Sequence, residues 1–144
     1  MTSRLASTAS PTRWGIPSAR TDHGLRINWI SIDGCLVCRP VGSLDAFSAS
    51  LLREVSADVP VGSSLVLDLS ALSFIDSAGR GALLGAARLV RARGGAANAA
   101  APRPVVRRVL TRTGFDRLVP VFATASEAVA AHKGTTVTGC DLRP

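Results

Sequence analysis

The chain has 144 residues, a formal net charge of +7, 47% hydrophobic residues and 4% aromatic residues. This length and apolar fraction are typical of one globular domain and argue against disorder over the whole chain. No apolar run reaches the roughly 18 residues of a membrane span, and no secretory signal is recognisable. We therefore expect a cytoplasmic protein with no membrane partner. The positive charge makes nucleic acid or an acidic protein a candidate partner until the charge is located.

The two ends of the chain differ from its middle in composition. Residues 1–24 are rich in Ser, Thr, Pro, Gly and Arg, and residues 134–144 are similar. Such segments bury too little apolar surface to offset the entropy lost on ordering. The sequence predicts a disordered basic tail over residues 1–24, one folded domain over residues 25–133 and a flexible C-terminal tail over residues 134–144.

A β-hairpin opens the predicted domain. Apolar residues alternate along residues 25–32, which predicts a strand with one buried face. Asp33-Gly34 is typical of a tight turn in which both residues have positive φ. Residues 35–41 then form the returning strand.

A helix and a buried strand follow the hairpin. Phe47 begins a stripe of apolar residues at helical spacing, which predicts a helix over residues 45–55 with Phe47 on its buried face. Asp45 is the expected N-cap of this helix. The apolar run over residues 64–69 predicts a strand covered on both faces, as in parallel or mixed sheets.

The second half of the chain alternates helices with short strands. The segment Leu72–Ile75 leads into a helix over residues 77–93, which ends at Gly94-Gly95. The remaining elements are a weak alanine strand (96–101), a helix (105–113), a short strand (119–123) and a capped helix (126–133). This order predicts an α/β fold with a small, mixed, mostly parallel sheet.

The sequence gives no support for catalysis. A nucleophile elbow needs Gly two residues before its Ser, and Ile75 occupies that position relative to Ser77. The two His and three Cys are scattered without metal-ligand spacing. The glycines of residues 79–85 lack the Lys-Ser/Thr ending of a phosphate-binding loop. We expect no enzyme activity, no metal and no cofactor.

Three cysteines raise the question of redox control. Cys35 and Cys38 fall in one predicted strand, where their Cα atoms would be about 10 Å apart. A disulfide tolerates less than about 7 Å. The two side chains also point to opposite faces, so we expect one in the core and the other semi-exposed. Cys140 on the C-terminal tail could reach one of them, and this redox switch remains a hypothesis.

Asp76-Ser77 is the sharpest feature of the sequence, because it lies where a strand gives way to a helix N-terminus. A helix N-terminus favours anions, so a phosphate on Ser77 would leave the helix folded. It would add roughly −1.5 to −2 charge beside Asp76. Two interpretations are open: Ser77 is the site of a phosphorylation switch, or its hydroxyl only caps the helix.

Three segments together resemble the STAS domain of bacterial anti-sigma-factor antagonists. They are residues 41–49 (VGSLDAFSA), 66–79 (VLDLSALSFIDSAG) and 105–115 (VVRRVLTRTGF). The resemblance extends over about residues 27–131. It implies a single STAS-like domain in which helices pack on one side of the sheet.

The resemblance also implies a function in transcription regulation. Members of the family bind an anti-sigma factor, often a serine kinase, when they are unphosphorylated, and binding releases a sigma factor. The kinase phosphorylates a serine that matches Ser77, and a metal-dependent serine phosphatase reverses this step. The implied docking face comprises Ser43, Asp45, Asp76, Ser77, Ala78, Gly79 and Arg80. Arg80 could pair with the phosphate or remain solvated.

Two other functions are weighed against this one. The first is a STAS scaffold, sensor or transporter-complex subunit without a phosphorylation switch. The second is direct nucleic-acid binding, which is not expected because the chain supplies few aromatic side chains for stacking.

Residues 88–112 carry seven Arg and no acid, whereas residues 25–87 carry four Arg and six acids. The positive charge therefore lies away from the segment of Ser77, either as a solvated face or as a docking patch for an acidic partner.

Overall fold

The computed structural model describes residues 19–22 and 24–132. The rest of both predicted tails, with Cys140, lies outside the described residues. The strands are β1 (Ala19–Asp22), β2 (Leu25–Ile32), β3 (Cys35–Leu44), β4 (Leu65–Asp68), β5 (Leu72–Ile75), β6 (Ala97–Ala100) and β7 (Val121–Phe122). The helices are α1 (Ala49–Ser56), α2 (Ser77–Ala92), α3 (Pro104–Thr113), α4 (Phe115–Leu118) and α5 (residues 125–132).

The described strands form one mixed sheet in the order β1-β2-β3-β4-β6-β7, and β5 pairs with the end of β3. The pairs β1–β2 and β2–β3 are antiparallel. The pairs β3–β4, β3–β5, β4–β6 and β6–β7 are parallel. The predicted α/β class with a mixed, mostly parallel sheet is confirmed.

The turn between β2 and β3 has the predicted geometry. Ile32 pairs with Cys35, which leaves a two-residue loop. Asp33 has φ 49° and Gly34 has φ 85°, so both occupy the left-handed region. This matches the right-handed twist of the two strands and fixes their register.

Strand β1 lies inside the segment that the sequence predicts as a tail, so the structure corrects that prediction for four residues. Ala19 pairs with Asn28 and Asp22 pairs with Leu25 in an antiparallel ladder. The ladder is made by backbone groups of the open edge of β2, and it does not require apolar side chains. Composition alone therefore does not reveal this strand.

The core has two parts, one on each face of the sheet. The larger part contains Leu51 of α1, Leu83 of α2 and Leu110 of α3, packed against alternate residues of β2, β3, β4 and β6. The smaller part contains Ala128 and Val129 of α5, packed on the opposite face. Helices α1 to α3 thus share one side, as expected, but α5 covers the other, so the expectation that the helices pack on one side is wrong for α5.

Strand β6 is an interior strand of the sheet although it consists of three alanines and Asn98. It pairs with β4 on one side and β7 on the other, and all four residues are buried. Ala97 and Ala99 face the larger part of the core, and Ala100 faces the smaller part. Short side chains suit a strand with helices on both faces, so packing overrides the low strand propensity of alanine.

Cys35 and Cys38 lie on opposite faces of β3, as predicted, but both are buried. Cys35 belongs to the smaller part of the core beneath α5, so the expectation of one semi-exposed thiol is wrong. Burial raises the pKa of the Cys38 thiol, which favours the unreactive thiol form.

None of the helices in the described ranges has the length and apolar character needed to span a bilayer.

Candidate partner-binding site

The site forms where the ends of two parallel strands meet the start of a helix. Ser43 pairs with Phe74 and Leu44 pairs with Ile75 at the ends of β3 and β5. The backbone N–H of Asp76 then donates to the carbonyl oxygen of Leu44, at 3.3 Å. Helix α2 therefore begins directly against the end of β3.

Asp76 joins this helix to the turn that precedes α1. Its Oδ1 accepts the backbone N–H of Gly79 at 2.9 Å, which makes Asp76 the N-cap of α2. Its Oδ2 accepts the backbone N–H of Ala46 at 3.2 Å. One carboxylate thus satisfies free N–H groups of two segments that lie far apart in sequence.

Ser77 is the first residue of α2, and its side chain is exposed. The interpretation of Ser77 as a simple helix cap is wrong, because Asp76 performs that role. An exposed hydroxyl in the first turn of a helix is accessible to a second protein. The helix dipole there favours an added negative charge.

The turn over residues 45–48 is held by side-chain hydrogen bonds, so the predicted helix begins four residues late. Asp45 Oδ1 accepts the backbone N–H groups of Phe47 (2.9 Å) and Ser48 (3.1 Å). These bonds, above all the one from Ser48, hold the pKa of Asp45 below its usual value. Ser48, and not Asp45, occupies the N-cap position of α1, which starts at Ala49.

Phe47 is the clearest error of the sequence-based prediction. Helical spacing assigns it to the buried stripe of α1, yet its side chain is 75% exposed. The turn places Phe47 ahead of the helix, so the 3.6-residue period that justified its burial does not apply. A signal was available in Asp45, Ser48 and their spacing, which favours a turn closed by side chains.

The remaining predicted site residues differ in what they can contact. Ser43, Asp45, Asp76, Ala78 and Arg80 are half-buried around Ser77, and Gly79 is buried. A Cβ on Gly79 would overlap the carbonyl oxygen of Leu44, so glycine permits the close approach of α2 to β3. Gly79 therefore shapes the site without contributing surface.

Arg80 lies three residues after Ser77, so the two side chains share one side of α2. Its Nε atom is buried and lacks a hydrogen-bond partner among the described residues. The sequence left open whether the Arg80 guanidinium is solvated or pairs with a phosphate. Because its Nε atom is buried, the group is not fully solvated. Its pairing with a phosphate on Ser77 remains a prediction.

The basic segment forms a separate surface on α3. Arg107, Arg108 and Arg112 are exposed and line an open groove of about 460 Å³ with Pro104 and Thr111. Exposed guanidinium groups agree with a solvated face, and a docking role for them remains a prediction.

A buried polar pair, Asn98 and His132, ties α5 to the sheet, and sequence reasoning did not identify it. His132 Nε2 lies 2.9 Å from the carbonyl oxygen of Leu65, and Asn98 Nδ2 donates to the carbonyl oxygen of Ala128 at 3.2 Å. Burial lowers the pKa of His132, so the neutral imidazole is favoured.

The described residues contain no group of three or more side chains able to hold a metal ion.

Residues 26–128 match the family model described as the STAS domain. The chain belongs to the STAS domain family. The expected resemblance is thereby confirmed, and the matched range contains every element of the site around Ser77.

The relatives point to one branch of the family. The STAS chain is 30% identical over 93 residues to a protein named anti-sigma F factor antagonist from Paenibacillus polymyxa, a match that covers 62% of this chain and 79% of that protein. It is also similar to the anti-sigma factor antagonist SpoIIAA, solved in its unphosphorylated form. That similarity has 26% identity and a TM-score of 0.62, and it covers 75% of this chain and 96% of the other.

The same fold also occurs outside that branch. A sulfate transporter family protein from Wolinella succinogenes has a TM-score of 0.62 and 22% identity, over 72% of this chain and 88% of its own. At this identity the likeness shows the fold alone.

Proposed function

We propose that this STAS protein is an anti-sigma-factor antagonist controlled by phosphorylation of Ser77. Unphosphorylated, it binds an anti-sigma factor with serine kinase activity in the cytoplasm and so releases a sigma factor. The observation that carries the proposal is the position of Ser77, which is exposed on the first turn of α2 beside a capping Asp76. The named relatives support the antagonist role.

The switch operates by adding charge to a surface that stays folded. The kinase transfers the γ-phosphoryl group of its ATP to Ser77 Oγ, ADP leaves, and the hydroxyl proton passes to a base on the kinase. The phosphoserine carries roughly −1.5 to −2 charge and lies beside the carboxylate of Asp76. Because the capping bonds of Asp76 use its own oxygens, they do not depend on the Ser77 hydroxyl. A serine phosphatase restores the binding surface by hydrolysis.

The partner cannot bind the phosphorylated form because the new charge would have to be desolvated inside the interface. Burying an unpaired charge costs far more than a rim contact returns. Folding and binding are thus affected differently by one modification.

The test combines intact-mass spectrometry of the phosphorylated chain with binding measurements on Ser77 variants. The full chain is incubated with candidate anti-sigma kinases and ATP, and we expect one phosphoryl group on the wild type and none on Ser77→Ala. Ser77→Ala should still bind the anti-sigma factor, whereas Ser77→Glu should not. Ser126→Glu is the matched control, because Ser126 is also exposed in the first turn of a helix but on the opposite face of the sheet. Equal binding by Ser77→Ala and Ser77→Glu would refute the switch.

The alternative is a STAS scaffold or a subunit of a transporter complex that lacks this switch. The same fold occurs in a sulfate transporter family protein, and this observation motivates the alternative. Co-purification with a transporter component, unchanged by Ser77→Glu, would establish this function in place of the first.

A further inference from the structure

Two of the four phenylalanines in the chain are exposed in segments that adjoin the start of α2. Phe47 is 75% exposed in the turn before α1, and Phe74 is 48% exposed on β5. Exposed apolar side chains are common when they occur singly. These two belong to the segments that converge on the start of α2, and this placement distinguishes them from the other exposed apolar residues.

From this placement we infer that Phe47 is the apolar anchor by which the anti-sigma factor is held on this surface, while Ser77 controls whether that contact can form. The inference rests on the proposed function and names the residue that supplies most of its affinity. The occupant is the anti-sigma factor, which must present an apolar pocket to Phe47. Val61 is equally exposed, at 76%, but lies in the loop before β4.

The turn that carries Phe47 is already fixed in the unbound protein. The backbone N–H of Phe47 donates to Asp45 Oδ1 at 2.9 Å, and that of Ala46 donates to Asp76 Oδ2 at 3.2 Å. The hydroxyl of buried Ser48 donates to the carbonyl oxygen of Ser43 at 2.9 Å. A pre-organised aromatic side chain loses little conformational entropy on binding, so more of its contact energy appears as affinity.

The same bonds connect Phe47 to Ser77. Asp76, which holds the turn through Ala46, is the residue directly before Ser77. The carbonyl oxygen of Ser43 accepts the hydrogen bond from the Ser48 hydroxyl, and Ser43 pairs with Phe74 between β3 and β5. A partner seated on Phe47 therefore lies against the first turn of α2, and a phosphate on Ser77 would be enclosed at the edge of that contact. Anchor and switch belong to one surface.

Aromatic anchors of this kind dominate interface energetics, whereas surrounding contacts contribute little. We expect Phe47→Ala to raise the Kd for the purified anti-sigma factor about tenfold or more, measured by titration calorimetry on the full chain. Phe47→Leu should recover part of the loss. The thermal unfolding midpoint should not fall for Phe47→Ala, because the side chain is largely in solvent.

Val61→Ala is the matched control, since it removes an equally exposed apolar side chain. The backbone N–H of Gly62 donates to the carbonyl oxygen of Arg93, so Val61 lies at the far end of α2, a 16-residue helix about 24 Å long. This variant should bind like the wild type. If Phe47→Ala binds within twofold of the wild type while Ser77→Glu does not bind, the anchor is refuted and the switch stands. If only Phe74→Ala weakens binding, the anchor at Phe47 is likewise refuted. If the wild type binds no anti-sigma factor, the proposed function itself fails.

Discussion

Removal of the Asp76 carboxylate tests how the site is held together. Asp76→Ala eliminates the N-cap bond to Gly79 and the bond to Ala46 in one step. Loss of an N-cap typically costs about 1 kcal/mol of unfolding free energy. Loss of a further hydrogen bond to a charged acceptor costs about 1.5 kcal/mol. We therefore expect Asp76→Ala to lower the free energy of unfolding by about 2 to 3 kcal/mol.

Urea denaturation with a shared m-value measures this difference, and the thermal midpoint should fall by roughly 10 °C. Asp76→Asn keeps one side-chain oxygen to cap α2 and should lose only about half as much stability. Asp58→Ala, which removes an exposed carboxylate, is the control and should change the unfolding free energy by less than about 0.5 kcal/mol. A loss below about 0.5 kcal/mol for Asp76→Ala would refute the two-segment role of this carboxylate.

Three further predictions concern packing, pH and thiol reactivity. Gly79→Ala should lower the thermal midpoint, because its Cβ would overlap the carbonyl oxygen of Leu44, and an unchanged midpoint would contradict that close approach. Because burial lowers the pKa of His132 in the folded state, the unfolded chain takes up the proton first as the pH falls. Stability should be fully present above about pH 6.5 and decline below it, and this decline should be smaller in His132→Gln. In a Cys140→Ser background, Cys38 should react with a thiol reagent only after denaturant is added, since its pKa is raised by burial.

Local signals in the sequence predicted much of the frame. The Asp33-Gly34 turn was identified because its geometry depends on two residues. The long helix α2 was placed almost to the residue, and α3 ends at Thr113 as predicted, followed by Gly114 in the left-handed conformation. Gly114 can take φ 79° at no steric cost, so that end is determined locally. The position of Ser77 at a helix N-terminus follows from the same kind of signal.

The details of the site required long-range information. Asp76 was predicted beside Ser77, but its bond to Ala46 joins residues thirty positions apart and leaves no local pattern. Phe47 was assigned to the core because a helical period was extended one turn too far. Its exposure depends on the turn that Asp45 and Ser48 close. Sequence reasoning therefore identified Ser77 and the polar residues around it, but it missed the exposure of Phe47 and the bonds that hold its turn.

What the sequence determined by itself is the Asp33-Gly34 turn, the bounds of α2, the end of α3 and the serine that begins α2, because these depend on the conformational preferences of neighbouring residues. The tertiary structure alone decided that three alanines could fill an interior strand and that α5 would cover the second face through His132. It also decided that Phe47 would face solvent. Each of these outcomes depends on which distant segments pack together, since burial and backbone pairing are gained only when those segments meet.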